Sequence, residues 1–486
     1  MRRVEFKKIA LFSVAILAAT PIGAQEQSHS TQPDLSIARV ENGLVSAVAI
    51  VGQPAERRSI TAEMARLHVL GVSVAVLRAG AIAWAKGYGV TRAGGPAVTP
   101  DTLFQAGSIS KPVTAFAALR LVDRGRLNLD RDVNEQLIGW KLPTPTDQHV
   151  SLRELLSHTA GTTVHGFPGY AAGVPVPSVD DVLAGRPPAN TKPVMVDTAP
   201  GTAWRYSGGG YTVIQKLIGD ATGRPFADVL RDEVLLPAGM ERSRFAQPLD
   251  ANALRDAAWP HDGEGRPVTG GPHTYPELAA AGLWSTPSDL ARYAIAVRRS
   301  AQGEPGSLLS RSTAATMLTP GKGDYGLGLE IRGSADNRSF AHGGSNEGYE
   351  NFFVAYVGSG DGAVVMTNGA QGNELATEVV RSIAAAGGWP SYRSIERASI
   401  PIRSAARARL AGEYSVPNLG SFTIIASGTG LSLSLKEGVS EPLYAATANT
   451  YFVLSQDLLI RVNDDGKTVT GRIISGPFDL PITKIK

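Results

Sequence analysis

The stretch from residue 71 to residue 90, GVSVAVLRAGAIAWAKGYGV, predicts a β-hairpin. Apolar residues alternate with small or polar ones in GVSVAVL and again in AIAWAKGYGV, on either side of Arg78-Ala79-Gly80. Alternation with a period of two, interrupted by a turn that contains glycine, is typical of two antiparallel strands. We therefore expect a sheet to begin here.

The chain around this hairpin changes from strands to helices and back to strands. A short amphipathic helix is predicted from Ser59, and residues 105 to 300 have mainly helical patterns, with a helix N-terminus signal in STPSDLARYAIA from Ser285. Strand patterns return in YGLGLEI, NFFVAYV and AVVMTNG, and the helix ELATEVVRSIAAA follows. This order predicts an α+β fold, with an antiparallel sheet flanked by helices and a large helical insertion.

The two ends of the chain have sequence patterns that differ from those of the middle. Residues 25–58 are expected to be a loosely ordered lead-in, and WPSYRSIERASIPIRSAAR, from residue 389, is typical of a linker. SFTII, LSLSL, YFVL, LLIRV and TVTGRII then predict short strands of a small all-β sandwich or barrel. We divide the chain into a leader (1–24), a main domain including the linker (25–400) and an all-β domain (401–486).

The leader has the three parts of a secretory signal peptide. MRRVEFKK is basic, IALFSVAILAAT is apolar, and Ala24 offers a small residue at the cleavage point. The apolar run is shorter than the roughly 20 residues that a bilayer requires, and no later segment is long and apolar enough. We expect an exported protein, periplasmic or secreted, with no membrane span in the mature chain.

Composition excludes several classes of function. The formal net charge is +3, and the leader accounts for it with four basic residues against Glu5, so the mature chain is near neutral and has no basic patch for nucleic acid. The absence of cysteine excludes disulfides, thiolate zinc sites and cysteine nucleophiles. His165, His261 and His273 show no metal-ligand spacing, so we expect neither a metal nor a cofactor.

AGSISKPVTA, from residue 106, holds Ser108 and Lys111 at an S-x-x-K spacing that occurs once in the chain. If a helix begins here, positions three apart share a face, and the helix N-terminus favours negative charge near Ser108. The spacing alone is equally compatible with a capped helix and an exposed lysine. A lysine with its ordinary pKa is a poor base, so a nucleophilic serine would also need burial of the amine, a nearby tyrosine and an oxyanion hole.

Two later segments supply candidates for these parts. Tyr206 opens YSGGGY, which lacks the pattern of a phosphate-binding loop, and His342-Gly343-Gly344-Ser345 precedes the strand YENFFVAY. In this order the set resembles the class C β-lactamase-like serine hydrolases of the serine β-lactamase and penicillin-binding protein superfamily, which includes esterases and D-amino-acid peptidases. LRELLSHTAG (152–161), AAGLWSTPSDLARY (280–293) and YGLGLEI (325–331) extend the resemblance. The C-terminal domain is similar to lipocalin-like β domains.

The resemblance implies a role for each motif residue. Ser108 would be the acylated nucleophile, Lys111 and Tyr206 would act as a joint base, and His342 would stand at the lysine or histidine of the third motif. The backbone N–H groups of Ser108 and Ser345 would form the oxyanion hole. Gly344 would lie where substrate approaches bare backbone.

Two departures from the family pattern bear on the substrate. Gly208 stands where the family often has an asparagine that would bind the amide of a β-lactam or peptide, and His342 carries no permanent charge for a substrate carboxylate. Both favour an esterase or a peptidase with different anchoring over an efficient β-lactamase, acting on a small-molecule or peptide substrate. The alternative is a non-catalytic protein that binds a peptide or cell-wall fragment.

Other conspicuous residues favour structural roles. His158, in SHTAG, is expected to be a buried and satisfied histidine, and Trp284 and Tyr349 are expected to belong to the core rather than the cleft. A G-x-S-x-G elbow is absent from the sequence, which argues against an α/β-hydrolase. Oligomeric state does not follow from these patterns.

Overall fold

The computed structural model describes residues 36–145, 148–417, 420–436, 439–475 and 478–485. The signal peptide predicted for residues 1–24 lies outside the described residues. Within these ranges no helix combines the length and the apolar character needed to cross a membrane.

The chain forms two compact units. One spans Thr61–Thr377, and the other combines the described residues up to Ile60 with the chain from Glu378 onward. This division differs from a boundary at residue 400, because the N-terminal segment belongs with the C-terminal part of the chain.

The helices are mostly short and lie between the early and late strands. Their bounds are α1 Ile37–Glu41, α2 Ile60–Arg66, α3 Ser110–Asp123, α4 Leu152–Leu156, α5 Val179–Ala184, α6 Gly208–Thr222, α7 Phe226–Leu230, α8 Ala251–Arg255, α9 Leu278–Ala281, α10 Pro287–Gln302, α11 Arg311–Met317, α12 Gly372–Gly387 and α13 Ser404–Leu410. Single turns of 3₁₀ helix and one π-helical turn, Arg231–Leu235, connect some of them.

The strands fall into an early pair, a middle group and a C-terminal group. Their bounds are β1 Val48–Ile50, β2 Gly71–Arg78, β3 Ala81–Gly89, β4 Phe104–Gln105, β5 Trp284–Ser285, β6 Glu330–Arg332, β7 Ser339–Asn346, β8 Tyr349–Tyr356, β9 Gly362–Thr367, β10 Ile395–Arg397, β11 Gly412–Val416, β12 Gly420–Ser427, β13 Gly430–Lys436, β14 Val439–Thr447, β15 Thr450–Phe452, β16 Leu459–Asp464, β17 Val469–Ser475 and β18 Phe478–Lys484.

The main sheet has the order β3-β2-β9-β8-β7-β6, and every neighbouring pair is antiparallel. The predicted hairpin forms its β2–β3 end, and helices α3 to α11 are inserted between β3 and β6. The α+β arrangement with a helical insertion is therefore confirmed. The insertion matters for function because the turn just before α3 contacts β7, and Tyr206, just before α6, lies near His342 of β7 with ring centroids 6.3 Å apart.

Helix α3 is buried almost from end to end. Each residue from Ser110 to Leu121 is buried, and Phe116 packs edge-on against Tyr293 of α10 with ring centroids 5.8 Å apart. Burial on all sides follows from a sequence that is apolar on every face. Consequently Lys111 and Arg120, the charged residues within the buried stretch, are taken out of water, whereas Asp123 at the end of the helix is exposed.

Helix α10 shows a small difference from the sequence-based expectation. Its N-cap is Thr286, whose side chain accepts a hydrogen bond from the Asp289 amide, and Pro287 is the first helical residue. The expected start at Ser285 was one residue early, because Ser285 belongs to the short strand β5.

The C-terminal domain is a closed antiparallel barrel of eight strands, β11 to β18 in sequence order. Of the two architectures that the pattern left open, the barrel is therefore the observed one. Alternate residues such as Tyr414, Phe422, Ile424 and Leu433 fill its interior, as the two-residue period of the strands requires.

The expectation of a loose lead-in was wrong for the described part of residues 25–58. Strand β1 pairs in parallel with β10, so that Val48 lies opposite Ile395, and Arg58 forms an ion pair of 2.7 Å with Glu378. The segment expected to be a linker contains β10 and is likewise ordered. The signal was missed because three-residue strands are too short for periodicity to reveal.

Candidate active site

Ser108 lies in a single 3₁₀ turn, Gly107–Ile109, that joins β4 to α3. Gly107 has a φ of +54°, in the left-handed region that favours glycine. The Ser110 hydroxyl donates to the Gly107 carbonyl at 2.6 Å and accepts from the Leu283 amide at 3.0 Å, which fixes the turn. The partly exposed Ser108 side chain is thereby presented at the start of a buried helix.

Lys111 is 2% exposed, and its amine has two oxygen partners. The Nζ atom donates to Ser108 Oγ at 3.0 Å and to the Ala280 carbonyl at 2.9 Å. Burial lowers the pKa of Lys111 from 10.5 to about 7. Near neutral pH about half of these amines are therefore uncharged, against roughly one in 3,000 at the ordinary pKa, and an uncharged amine can accept a proton.

Tyr206 immediately precedes Ser207, the N-cap of α6. Its hydroxyl interacts with Ser108, and its ring centroid lies 4.9 Å from Lys111 Nζ. Burial raises the pKa of Tyr206 well above its usual value, so the phenol stays protonated near neutral pH. The structure thus brings together the three side chains that the sequence motifs singled out.

The glycines of YSGGGY allow the start of α6 to lie close against the preceding loop. A Cβ at Gly209 would come within 2.6 Å of the Thr163 carbonyl oxygen, and one at Gly210 within 2.9 Å of Thr162 Oγ1. The Ser207 hydroxyl caps the helix by accepting from the Gly210 amide at 3.0 Å. Close packing, rather than phosphate binding, accounts for these glycines.

Part of strand β7 lies next to the Ser108 turn and has no neighbouring strand on one side among the described residues. Strand β6 pairs with β7 only over Ser339–Ala341, so the rest of β7 has no strand neighbour on that side among the described residues. A Cβ at Gly107 would lie 2.6 Å from the Ser345 nitrogen, and one at Gly344 would overlap the Ala106 carbonyl. The turn that carries Ser108 therefore lies directly against the Gly344-Ser345 backbone.

His342 is held in β7 by partners on both ring nitrogens, and it is 3% exposed. Because a carbonyl only accepts, Nδ1 carries the hydrogen that is donated to Gly343 O, and Nε2 pairs with the Tyr325 hydroxyl at 3.0 Å. Burial, together with the positive charge of Lys111, lowers the pKa of His342 to about 3. His342 is therefore neutral near pH 7, and Tyr325 donates to its Nε2.

The rings of His158 and Tyr325 lie beside those of Tyr206 and His342. The ring centroid of His158 lies 4.3 Å from that of Tyr206 and 4.9 Å from that of Tyr325. His158 is buried as expected, but it is not fully satisfied: Nδ1 accepts from the Ser207 amide at 3.1 Å, while Nε2 has no partner among the described residues. Sequence reasoning missed Tyr325, although it opens the YGLGLEI segment.

Gly208 is the first residue of α6 and is buried. Its amide donates to the His165 carbonyl at 2.9 Å, and a Cβ added to it would lie 2.9 Å from Phe167 Cε2. The space that a larger residue at this position would occupy is therefore filled by Phe167. Trp284 and Tyr349 pack edge-on with centroids 5.9 Å apart and are almost completely buried, which confirms that they belong to the core.

Potential metal ligands do not gather at this site. Among the described residues no group of three or more histidine, aspartate or glutamate side chains could hold a metal ion. The chemistry of the site is that of a serine hydroxyl beside an amine and a phenol.

Residues 57–388 match the family model described as Beta-lactamase. The chain belongs to the β-lactamase family. Its relatives include penicillin-binding proteins, an esterase and a D-aminopeptidase, so it is a member of a serine hydrolase family with the β-lactamase fold.

Three curated relatives illustrate this range. The chain is 28% identical to penicillin-binding protein 4 of Amycolatopsis lactamdurans over 65% of its own length and 85% of the relative. It is 31% identical to esterase EstB of Burkholderia gladioli over 41% of this chain and 53% of the esterase. It is 27% identical to the D-aminopeptidase of Gluconobacter oxydans over 68% of this chain and 62% of the relative. The matches thus span little more than half of the esterase and less than two thirds of the peptidase.

The fold is also found in solved structures. The octameric penicillin-binding protein homologue from Pyrococcus abyssi superposes with a TM-score of 0.57 and 23% identity, covering 87% of this chain and 98% of the homologue. At this level of identity the likeness concerns the fold alone.

Proposed function

We propose that this protein is an exported serine hydrolase that acts through an acyl-enzyme on an ester or amide substrate, with Ser108 as the nucleophile. The observation that carries the proposal is the buried Lys111 amine, 3.0 Å from Ser108 Oγ, with a pKa of about 7. An amine that is about half uncharged near neutral pH, and in contact with a hydroxyl, is suited to removing its proton. Export is supported by the signal-peptide pattern of residues 1–24.

In the proposed reaction Ser108 Oγ attacks the carbonyl carbon of the substrate. Its proton passes to the joint base of Lys111 and Tyr206, and the carbonyl oxygen gains negative charge. The Ser108 and Ser345 amides are the proposed donors to that oxygen, which is supported by the close approach of Gly107, the residue before Ser108, to the Ser345 nitrogen. When the bond to the leaving group breaks, the base returns the proton to the leaving group, and water then releases the acyl group by the reverse proton route.

The groups around the nucleophile favour esters. His342 is neutral and fully hydrogen-bonded within the protein, so it offers no charge to a substrate carboxylate. Gly208 supplies no side-chain amide, and Phe167 fills the adjoining space. A non-catalytic binding protein is not favoured, because a buried amine in contact with Ser108 is costly to maintain without a chemical use.

The test offers purified protein a p-nitrophenyl ester, a chromogenic cephalosporin and a D-alanyl peptide anilide, beside Ser108→Ala. We expect ester turnover that exceeds cephalosporin turnover, and an acyl adduct on Ser108 detected by mass spectrometry. Ser108→Ala should lose both. Turnover of none of the three substrates, without an adduct on Ser108, would contradict the proposal.

A further inference from the structure

The loop from His165 to Gly169 lies against the start of α6, just after Tyr206. Were Gly208 to carry a Cβ, that atom would lie 2.9 and 3.4 Å from two carbons of the Phe167 ring, and 3.2 Å from the His165 carbonyl oxygen. Gly208 is only two residues beyond Tyr206. Phe167 therefore stands in the position toward which a side chain at residue 208 would point.

One end of this loop is attached to the wall that carries Tyr206. The His165 carbonyl accepts from the Gly208 amide at 2.9 Å, and the His165 ring centroid lies 5.2 Å from that of Tyr206. In addition, the Ser207 hydroxyl donates to the Thr163 carbonyl at 2.7 Å, just before the loop. The loop consequently keeps a fixed position relative to the proposed base.

The other end is tied to the end of β7 on the far side of the site. His273 Nδ1 donates to the Pro168 carbonyl at 3.1 Å, and the His273 carbonyl accepts from Gln105 Nε2 at 2.7 Å. Gln105 Oε1 accepts in turn from Asn346 Nδ2 at 2.7 Å. The loop is thus fastened across the site, from Tyr206 to the strand that carries Ser345, with Phe167 between its two attachments.

A phenyl ring at this position has a predictable effect on recognition. It has neither donor nor acceptor, so a polar amide pressed against it would lose hydrogen bonds to water without replacing them. It also takes up volume, and the hydrogen bonds at the two ends of the loop hold it in place. Short apolar groups fit such a space, whereas long or amide-bearing groups do not.

We propose that Phe167 is a specificity-determining residue that restricts the substrate to esters with short, apolar acyl groups. This inference rests on the proposed serine hydrolase function, because it concerns the acyl group transferred to Ser108. The acyl group is the part assigned to this space because it becomes bonded to Ser108, and Gly208, which Phe167 lies against, is two residues beyond Tyr206 of the proposed base.

The experiment compares p-nitrophenyl acetate, butyrate and octanoate, which share a leaving group. Phe167→Ala should raise the ratio of kcat/KM for octanoate to kcat/KM for acetate by about tenfold or more, in line with the 10- to 200-fold that a changed apolar pocket contributes. Phe167→Leu should give a smaller rise. Met195→Ala is the matched control, since this exposed apolar residue lies on the same insertion outside the loop, and its ratio should equal that of the wild type.

A second pair of variants tests the contact between Phe167 and Gly208 by changing Gly208. Gly208→Ala places a methyl group against Phe167 and should lower acetate turnover, and Phe167→Ala in the same chain should restore it. Suppose the wild type hydrolyses acetate, but neither Phe167 variant changes the ratio of kcat/KM for octanoate to kcat/KM for acetate. That result would overturn the role of Phe167 and leave the proposed function intact. A wild type that hydrolyses none of the esters and forms no adduct on Ser108 would contradict the proposed function itself.

Discussion

The amine of Lys111 and the hydroxyl of Ser108 are joined by a hydrogen bond of 3.0 Å at the start of a helix that is buried on every side. The second partner of the amine is the Ala280 carbonyl, a neutral dipole that gives no full charge to offset the loss of water. Burial of the helix and the lowered pKa of Lys111 therefore have one physical origin.

The first prediction concerns the pH dependence of activity. Because the pKa of Lys111 is lowered to about 7, the amine is protonated below that pH and cannot accept the Ser108 proton. We expect kcat/KM for a p-nitrophenyl ester to rise with pH through about 7 and then level off, and Tyr206, whose pKa is raised, to add no change in that range. Lys111→Arg should lack activity at every pH. A flat profile from pH 5 to 9 would argue against Lys111 as the base.

The second prediction concerns Tyr206. Tyr206→Phe removes the hydroxyl that interacts with Ser108 and keeps the ring that packs against His158. We expect kcat to fall by about 10²- to 10⁴-fold, the usual share of general acid–base catalysis, with unchanged circular dichroism. Tyr349→Phe is the control, because it deletes a hydroxyl that bonds the Ala258 carbonyl and takes no part in the site. Full activity of Tyr206→Phe would show that the phenol is dispensable.

The third prediction concerns the contact between the Ser108 turn and β7. Gly344→Ala would force its methyl group into the Ala106 carbonyl, and Gly107→Ala would crowd the Ser345 nitrogen at a φ that alanine disfavours. Both should separate the proposed oxyanion donors and lower kcat by about 10²- to 10³-fold. Apart from the backbone of its own helix, the new Cβ of Gly219→Ala in α6 meets no heavy atom closer than 3.8 Å, so this variant should keep full activity. Equal activity in all three variants would mean that this contact has no part in catalysis.

The sequence revealed those parts of the site that are local or have a motif. Ser108 and Lys111 are three residues apart, so a helix start alone predicts their contact. The strand patterns located β8 and β9, but they did not predict β7, the strand that carries His342 and Ser345. Tyr206 and His342 came from the order of motifs in a resemblance, because nothing in a single sequence brings residues 108, 206 and 342 together.

The parts that could not be predicted depend on contacts between distant loops. Phe167 meets Gly208, and Tyr325 meets His342, through the path of the insertion across the sheet, which has no periodic signature. The parallel pairing of β1 with β10 also joins segments more than 300 residues apart. Such contacts are fixed by packing of the whole unit rather than by local preference.

The last prediction concerns stability and involves Glu277, which precedes α9. Its side chain is completely buried, and neither carboxyl oxygen has a partner among the described residues. Burial raises the pKa of Glu277 from 4.5 to about 7. Between these values the folded protein holds a proton that the unfolded chain releases, so this group's contribution to stability falls as pH rises from 4.5 to 7 and stays low above pH 7.

Glu277→Gln should therefore raise the midpoint of thermal unfolding at pH 8, by an amount that corresponds to up to about 3 kcal/mol, and should change it little at pH 4.5. Lys111 contributes in the opposite sense, since its lowered pKa makes stability rise with pH from 7 to 10.5. Because Lys111 titrates equally in the wild type and in Glu277→Gln, its contribution cancels from the difference between their unfolding midpoints. Glu241→Gln, at an exposed position, is the control and should show no such dependence. An equal effect of Glu277→Gln at pH 4.5 and pH 8 would mean that Glu277 is ionised or paired in the folded protein.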